Sequence, residues 1–348
     1  MGGIENNEMR IDKDWVKPSI HPSYARILCS YLINKGFDAQ QLFAGSTLNW
    51  ETLLKQQRFI SLAQYQRIVQ NALNLTQTPW LGIEVARLLQ VSMHGSLGYG
   101  AVTAPVVSDA FKLIEQALIT RISILSFEYK ATDYGARFYI HEIANIQSLS
   151  EVVYPMLLGA FCDIIEKMTG SAPQGVVVNL AYDKPTWYAH YQQQFPEFEF
   201  HFGQQAFSLD IPEKLLSMHS LTADDFAYRN ALRECNHLME VRQLGGALPE
   251  RVKHYLFNHD IRNQSQTQVA KALGLSVRSL IRKLQAENTS FQAILDEVRT
   301  ELSCWHLQNS NLTIEQVAEN VGYIDTSNFS RVFKRWMQCT PSAFRKQC

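Results

Sequence analysis

Apolar residues recur along this chain with two different periods, and the change from one to the other divides it. In the last hundred residues Val269 with Leu273, Leu280 with Leu284, Val317 with Val321 and Phe329 with Phe333 each stand four positions apart, the spacing of one helix face. Between these pairs Phe291, Ile294, Leu295, Val298, Leu302 and Trp305 keep helical spacing from a capping serine, Ser290, which predicts one helix to about Gln308. At 1.5 Å rise per residue that rod spans roughly 27 Å. Upstream, residues 22–90 read mainly as helices, including 62–73 and 80–90, and 109–118 forms another after the Pro105 break. Strand-like stretches follow at 122–130, 137–143, 176–182 and 198–209, alternating with helices at 152–168 and 187–195. This order predicts an α+β N-terminal domain, rather than a regular doubly wound sheet, followed by an all-α C-terminal domain. Residues 244–249 interrupt the helical patterns on both sides. The expected organisation is a tail over 1–21, a domain over 22–240, a linker over 241–249 and a helical domain over 250–348.

The helical domain carries one pattern twice. Ser265, Gln268, Val269, Ala270, Leu273 and Gly274 return 48 positions later as Thr313, Gln316, Val317, Ala318, Val321 and Gly322. After each glycine the register slips by one, so Ser276, Leu280, Arg282 and Leu284 return at 49 positions as Asp325, Phe329, Arg331 and Phe333. Ser265 and Thr313, each with a glutamine three residues on, fit capping boxes that satisfy the orphan amides opening a helix. Gly274 and Gly322 stand where the chain must reverse, and Ser276 and Asp325 can cap a second helix. Each copy is therefore a helix-turn-helix, whose second helix fits a DNA major groove about 12 Å wide.

In both second helices the apolar and polar residues separate by angle. Leu280 and Leu284 face inward in the first copy, leaving Arg278, Ser279, Arg282 and Gln285 outward. In the second, Phe329, Phe333 and Trp336 face inward, while Thr326, Ser327, Ser330, Arg331 and Lys334 point away. A solvated helix face explains one such copy as well as a DNA contact does; two in tandem favour DNA. The intervening rod is long enough to hold two reading heads about one DNA turn, near 34 Å, apart on successive major grooves.

Charge adds to this picture. Residues 245–348 hold 13 Lys and Arg against 9 Asp and Glu, while residues 1–244 hold 19 against 24, an asymmetry hidden in the overall net charge of −1. The basic half favours counterion release on the phosphate backbone, and the acidic half should stay off it. With 348 residues and 46% hydrophobic content the chain is expected to form at least two domains with substantial cores. Its longest apolar stretch, around 152–165, contains Asp163 and is too short to span a bilayer. The start, with Glu5, Glu8, Asp12 and Asp14, lacks the pattern of a secretion signal, so a cytoplasmic protein with no membrane partner is expected. Cysteines at 29, 162, 235, 304, 339 and 348 form no CxxC pair; reduced thiols are expected, with no metal and no cofactor.

Residues 313–345 resemble the signature of the AraC/XylS family of bacterial transcription regulators. The matching residues are Ile314, Val317, Ala318, Val321, Gly322, Tyr323, Ser327, Asn328, Phe329, Arg331, Phe333, Lys334, Arg335, Thr340, Pro341, Phe344 and Arg345, and Arg299 and Leu307 fit that family's linker helix. Gln338 departs by replacing the glycine usual after the second recognition helix, and Ser303 by replacing a common small alanine. The resemblance implies base contacts from Arg278, Arg282, Thr326, Ser327, Ser330 and Arg331, with Ile281 at a position often polar in relatives. Lys334, Arg335 and the amides opening the helices would hold phosphates, which position a protein without specifying sequence. Further upstream His94, Gly95, Ser96, Leu97, Gly98 and Tyr99, then Asp109 and Ala110, are similar to the arabinose-binding-like domain of a subset of these regulators, over about residues 22–210. That similarity implies effector sensing and dimerisation, without making arabinose the effector. His94, Tyr99, Arg137, Tyr154 and Trp187 are the candidate pocket residues; an ordinary hydrogen-bonded histidine and aromatic core packing account for the same residues.

The function expected is a homodimeric, ligand-responsive transcription factor, an activator, partnered by a double-stranded DNA operator, a small-molecule effector and RNA polymerase. Two alternatives stay open: a DNA-repair protein with an alkyl-accepting cysteine, and a regulator controlled by a protein partner. Gly95, Gly98 and Gly100 lack the GxGxxG order of a pyrophosphate cradle and are expected to form a packing turn. His141 and Glu142 have no PCxxC to make a zinc deaminase site.

Overall fold

The computed structural model describes Trp15, residues 17–55 and residues 57–346; Glu5, Glu8, Asp12, Asp14 and Cys348 lie outside the described residues. Buried apolar side chains fall into two clusters, one drawn from Ile20 to Cys235 and the other from Val252 to Phe344.

The first cluster is built on a sheet with helices against it. Two short strands, β1 (Pro18–Ile20) and β2 (Ile60–Ser61), pair with each other. A five-stranded sheet then forms from β3 (Leu125–Thr132), β4 (Gly135–Glu142), β5 (Val177–Asn179), β6 (Glu199–His201) and β7 (Phe207–Pro212), in the order β3-β4-β7-β5-β6. All its pairs are antiparallel except β5 with β6. Alternate residues of β3 and β4, Phe127 and Phe138, turn inward onto Phe161 of the helix Ser150–Thr169 and Phe111 of the helix Val107–Ala117. Ring centroids in this group lie 4.9 to 5.9 Å apart.

Three sequence expectations need correction here. The strand expected over 198–209 is two strands, because β6 and β7 pair with opposite edges of β5 and the chain must cross over between them; Gly203 makes the turn at a φ of +68°. The helix expected over 80–90 is only Leu81–Ala86, since Arg87 reaches out to the carbonyl of Gln194 and Asp163 takes the Val91 amide at 2.7 Å. Residues 95–100 are not a turn but open the helix Gly95–Thr103. There the missing side chains serve contact: a Cβ on Gly98 would stand 2.3 Å from the Val91 carbonyl oxygen, and one on Gly100 2.7 Å from Leu113.

A long helix, Asp225–Gln243, lies on Gly95–Thr103 and ends at Leu244; the next helix, Leu248–Asn258, begins with Pro249 in its first turn. The second cluster is all helix. Gln266–Ala272 and Val277–Ala286 form the first helix-turn-helix, Ile314–Asn320 and Thr326–Met337 the second, and Phe291–Asn309 joins them. Both capping boxes are present: Ser265 and Thr313 each accept from the glutamine amide three residues on, and each glutamine side chain accepts from the cap residue's own amide. Ser276, Asp325 and Ser290 cap the helices they precede. Gly274 and Gly322 turn at φ of +68° and +84°, and a Cβ at Gly322 would also stand 3.1 Å from the Arg299 guanidinium.

The two clusters meet across a polar seam. The buried Lys253 ammonium donates to Glu297 at 2.6 Å and Glu301 at 2.8 Å, and Gln64, on the helix Leu62–Thr76, donates to the same Glu301 oxygen at 2.9 Å. Nearby, Arg242 lies over the Phe59 ring at 3.9 Å and donates to Glu250 at 3.0 Å and to the Pro18 carbonyl at 3.2 Å.

Candidate functional site

The second helix of each pair presents one polar face. In the first, Leu280 and Leu284 are buried, which turns Arg278, Arg282 and Gln285 to solvent and leaves Ser279 half-buried. The Ser279 amide donates to the Ser276 hydroxyl at 3.1 Å, so this serine also closes the cap. In the second, burial of Phe329 and Phe333 leaves Ser327, Arg331, Lys334 and Arg335 exposed and Thr326 and Ser330 half-buried. Trp336 does not go fully inward as expected: Met337 takes the buried position, and Trp336 packs at the rim edge-on to Tyr323. Arg278, Arg282, Arg331, Lys334 and Arg335 make no ion pair with a described residue. These side chains are donors without acceptors, the arrangement needed for phosphate oxygens and for guanine, which arginine meets with two parallel bonds.

Other motif residues hold the reading heads in place. Arg345 donates to the Leu312 carbonyl at 2.6 Å, tying the last helix, Pro341–Lys346, to the start of the second pair. Arg299 lies over Tyr323 at 5.2 Å. Ser303 is fully buried in the joining helix and its hydroxyl donates to the Arg299 carbonyl at 2.6 Å, so the departure from alanine is accommodated with its polar atom satisfied. Gln338 closes the second recognition helix at a φ of +60°, a conformation that explains why glycine is usual there. Sequence reasoning missed Ile324, which is fully exposed just ahead of the second recognition helix. The available signal was an isoleucine wedged between the turn glycine and the capping aspartate, where the core cannot reach it.

The N-terminal cluster lines a partly open apolar pocket of about 70 Å³. Its walls come from β3 (Phe127), the helix Val107–Ala117 (Ile114) and the helix Ser150–Thr169 (Val153, Leu157), with Tyr24, Tyr65 and His94 as its polar groups. The Tyr24 hydroxyl and His94 Nδ1 are 3.0 Å apart, and His94 Nε2 is buried with no partner among the described residues. Burial and then the nearby Arg121 charge push the His94 imidazole down to about 4, so it is neutral at physiological pH.

Of the five candidate pocket residues only His94 lines this cavity. Tyr99 is exposed on the far side of its helix. Arg137 pairs across the sheet with Asp210, donating at 2.8 Å. Tyr154 is buried, donates to Glu142 and packs on Phe207; Trp187 stacks on Tyr191 at 5.7 Å.

Residues 36–220 match the family described as the arabinose-binding domain of AraC transcription regulator, N-term, and residues 269–347 match one described as a helix-turn-helix domain. The first match alone takes in more than half of the chain. The chain belongs to the AraC family of transcription regulators. The ornithine utilization regulator of Pseudomonas aeruginosa is 26% identical over 330 residues, 93% of this chain and 95% of its own. The transcriptional regulator SirC of Salmonella typhimurium is 37% identical over 97 residues, 28% of this chain and 33% of its own. A crystal structure of the transcriptional regulator CdpR from Pseudomonas aeruginosa, 22% identical, overlays with a TM-score of 0.46 and covers 93% of this chain and 98% of that one.

AraC-family membership makes this protein a DNA-binding transcription regulator with an N-terminal ligand-binding domain, and not an enzyme. Four of the six cysteines also lack the exposed, activated thiolate that an alkyl acceptor needs: Cys29, Cys162, Cys235 and Cys304 are buried, while Cys339 is half-buried and Cys348 lies outside the described residues. Burial pushes Cys29 up to about 12 and Cys235 up to about 11, and it raises Cys162 as well. Among the described residues no helix is long and apolar enough to cross a membrane.

Proposed function

We propose that this AraC-family regulator reads two successive major grooves of a duplex operator with the helices Val277–Ala286 and Thr326–Met337. Arg278, Arg282, Thr326, Ser327, Ser330 and Arg331 face base edges, Ser279 and Gln285 border them, and Lys334 and Arg335 hold phosphates. Ile281 and Ile324, both exposed, are placed to meet thymine methyl groups. The observation that carries this reading is the set of five exposed cations on the two polar faces with no acid in the described structure to neutralise them. The joining helix has 19 residues, roughly 28 Å of rod, which suits heads set about one DNA turn apart.

The division of labour we infer gives residues 22–240 to effector sensing and dimerisation, 241–249 to the connection and 250–348 to DNA. The protein acts in the cytoplasm as a homodimeric activator that works with RNA polymerase. Effector binding is coupled to DNA through the seam, since Gln64 belongs to a helix of the sensor and Glu301 to the rod that joins the reading heads. A ligand shifts that equilibrium only by binding its two states unequally. Selection of operator sequences from a random duplex library, followed by anisotropy titration of wild type, Arg282→Ala and Arg331→Ala, tests the reading. Each variant is expected to lose affinity for the selected site and to relax its preference in one half of it; unchanged titrations for both would overturn it.

A further inference from the structure

We propose that the N-terminal domain holds its effector by an oxyanion head group, a carboxylate or a phosphate, in a basic pocket walled by Arg121, Arg26 and His21. This rests on the reading of that domain as the effector sensor and names the head group of what it senses.

This pocket, of about 520 Å³, shares no lining residue with the apolar one, and its size falls within the ~300–1,000 Å³ usual for small-molecule sites. Arg121 is only 9% exposed, yet among the described residues its charge meets neutral groups alone. Its Nη2 donates to His21 Nδ1 and to the Ser23 hydroxyl, both at 2.8 Å, and to the Met93 carbonyl. Its Nη1 makes no hydrogen bond to a described residue and stands at the pocket wall beside Gly95, where a Cβ would sit 3.3 Å from it. A guanidinium taken out of water without a counter-charge is costly, and one with an unused edge on a pocket suits an oxyanion.

The other walls repeat the same sign. Arg26, one helical turn beyond Ser23, brings a second guanidinium, Ser30, Ser92 and Gln57 add neutral donors, and no carboxylate lines the space among the described residues. Two helices also open here. Ser23–Asn34 and Gly95–Thr103 both begin on the pocket wall, each without a side-chain cap and without an acid in its first turn, so the positive ends of both dipoles add to the field. Neighbouring groups register that field: burial and then the Arg121 charge push the His21 imidazole down to about 3, and the same two causes lower Arg26. An ammonium group would meet the same repulsion, which sets amines aside.

The pocket also reaches the seam. The His21 ring stands edge-on to Phe59 at 5.6 Å, Phe59 lies under Arg242 at 3.9 Å, and Arg242 donates to Glu250 in the first turn of Leu248–Asn258, the helix that enters the DNA-binding half. An anion on Arg121 draws on the same guanidinium that holds His21, so its binding bears on this stack.

The test uses the full chain and four probes that share one butyl tail: pentanoate, butyl phosphate, butylamine and butanol. Each is titrated by calorimetry at constant ionic strength and by its effect on affinity for a selected operator. At least one of the two anions is expected to bind more than about tenfold more tightly than butanol, the increment of a charge-assisted hydrogen bond, and to change operator affinity; the tighter of the two identifies the head group. Butylamine is not expected to bind. Arg26→Gln should weaken the anions about tenfold and leave butanol unmoved. Ser92→Glu, which sets an acid on the wall without touching the partners of Arg121, should abolish anion binding and guards against an Arg121→Gln variant that fails to fold. Butanol or butylamine binding as tightly as both anions, neither anion binding, anions that bind without altering operator affinity, or anion affinities unchanged in Arg26→Gln and Ser92→Glu would each overturn the proposed chemistry while leaving the sensor reading intact. If, in addition, none of a broad set of neutral and cationic metabolites binds or alters operator affinity, the sensor reading itself fails.

Discussion

At the scale of single residues, the two recognition helices separate specificity from grip. Arg331 stands exposed with no acid to hold it, and Arg331→Ala is expected to lower affinity for a selected operator by about 1–3 kcal/mol while relaxing one base position. Lys334→Ala is expected to weaken all sequences alike and to reduce the slope of log affinity against log salt by about 1. Anisotropy titrations across a salt series separate the two; a sequence-dependent loss at Lys334 would contradict its assignment to phosphate. Gln338 illustrates a residue whose cost is purely conformational. Its backbone sits at a φ of +60° and its side chain only bonds back to the Arg335 carbonyl, so Gln338→Gly should raise stability by about 1 kcal/mol in thermal or urea unfolding.

At the scale of elements, local chemistry decides most of the DNA-binding half. Ser265→Ala and Thr313→Ala each remove a capping box and are expected to cost about 1 kcal/mol in chemical unfolding, with the loss confined to the helix-turn-helix pair that carries the change. The same caps, the turn glycines and the four-residue spacing of Leu280 with Leu284 and Phe329 with Phe333 are all visible in the sequence, which is why the helices there fall where the pattern places them. The N-terminal half was less legible because its elements are set by distant partners. Nothing local to residues 198–209 says that β6 and β7 must flank β5, and nothing near residue 90 says that Asp163 will claim the Val91 amide. The cavity shows the same limit. His94 was a candidate from its motif, but Tyr24 and Tyr65 join it only through packing across the fold, while Tyr154 and Trp187 were taken by aromatic neighbours.

At the scale of the whole molecule, the seam between the clusters is the place where sensing can reach DNA. Glu301 is packed there among Lys253, Glu297 and Gln64, with Arg58 acting on Glu297. Burial, reinforced by the Glu297 charge and opposed by Lys253, raises the Glu301 carboxyl to about 7 from its ordinary 4.5. The folded state therefore binds more protons than the unfolded one between those values. Stability from this group is complete below about 4.5 and is lost as pH rises through about 7. Thermal unfolding at about pH 6 and about pH 8 should show wild type losing ground to Glu301→Gln at the higher pH; an identical pH response in both would refute the assignment. The central claim is that two heads on one rod read successive grooves, and footprinting of the full-length protein on a library-selected operator tests it most directly. The expected result is two protected major-groove segments on one face of the duplex, centred about 10 base pairs apart, with Arg282→Ala weakening protection of one and Arg331→Ala of the other. A single protected segment that both variants leave unchanged would contradict it.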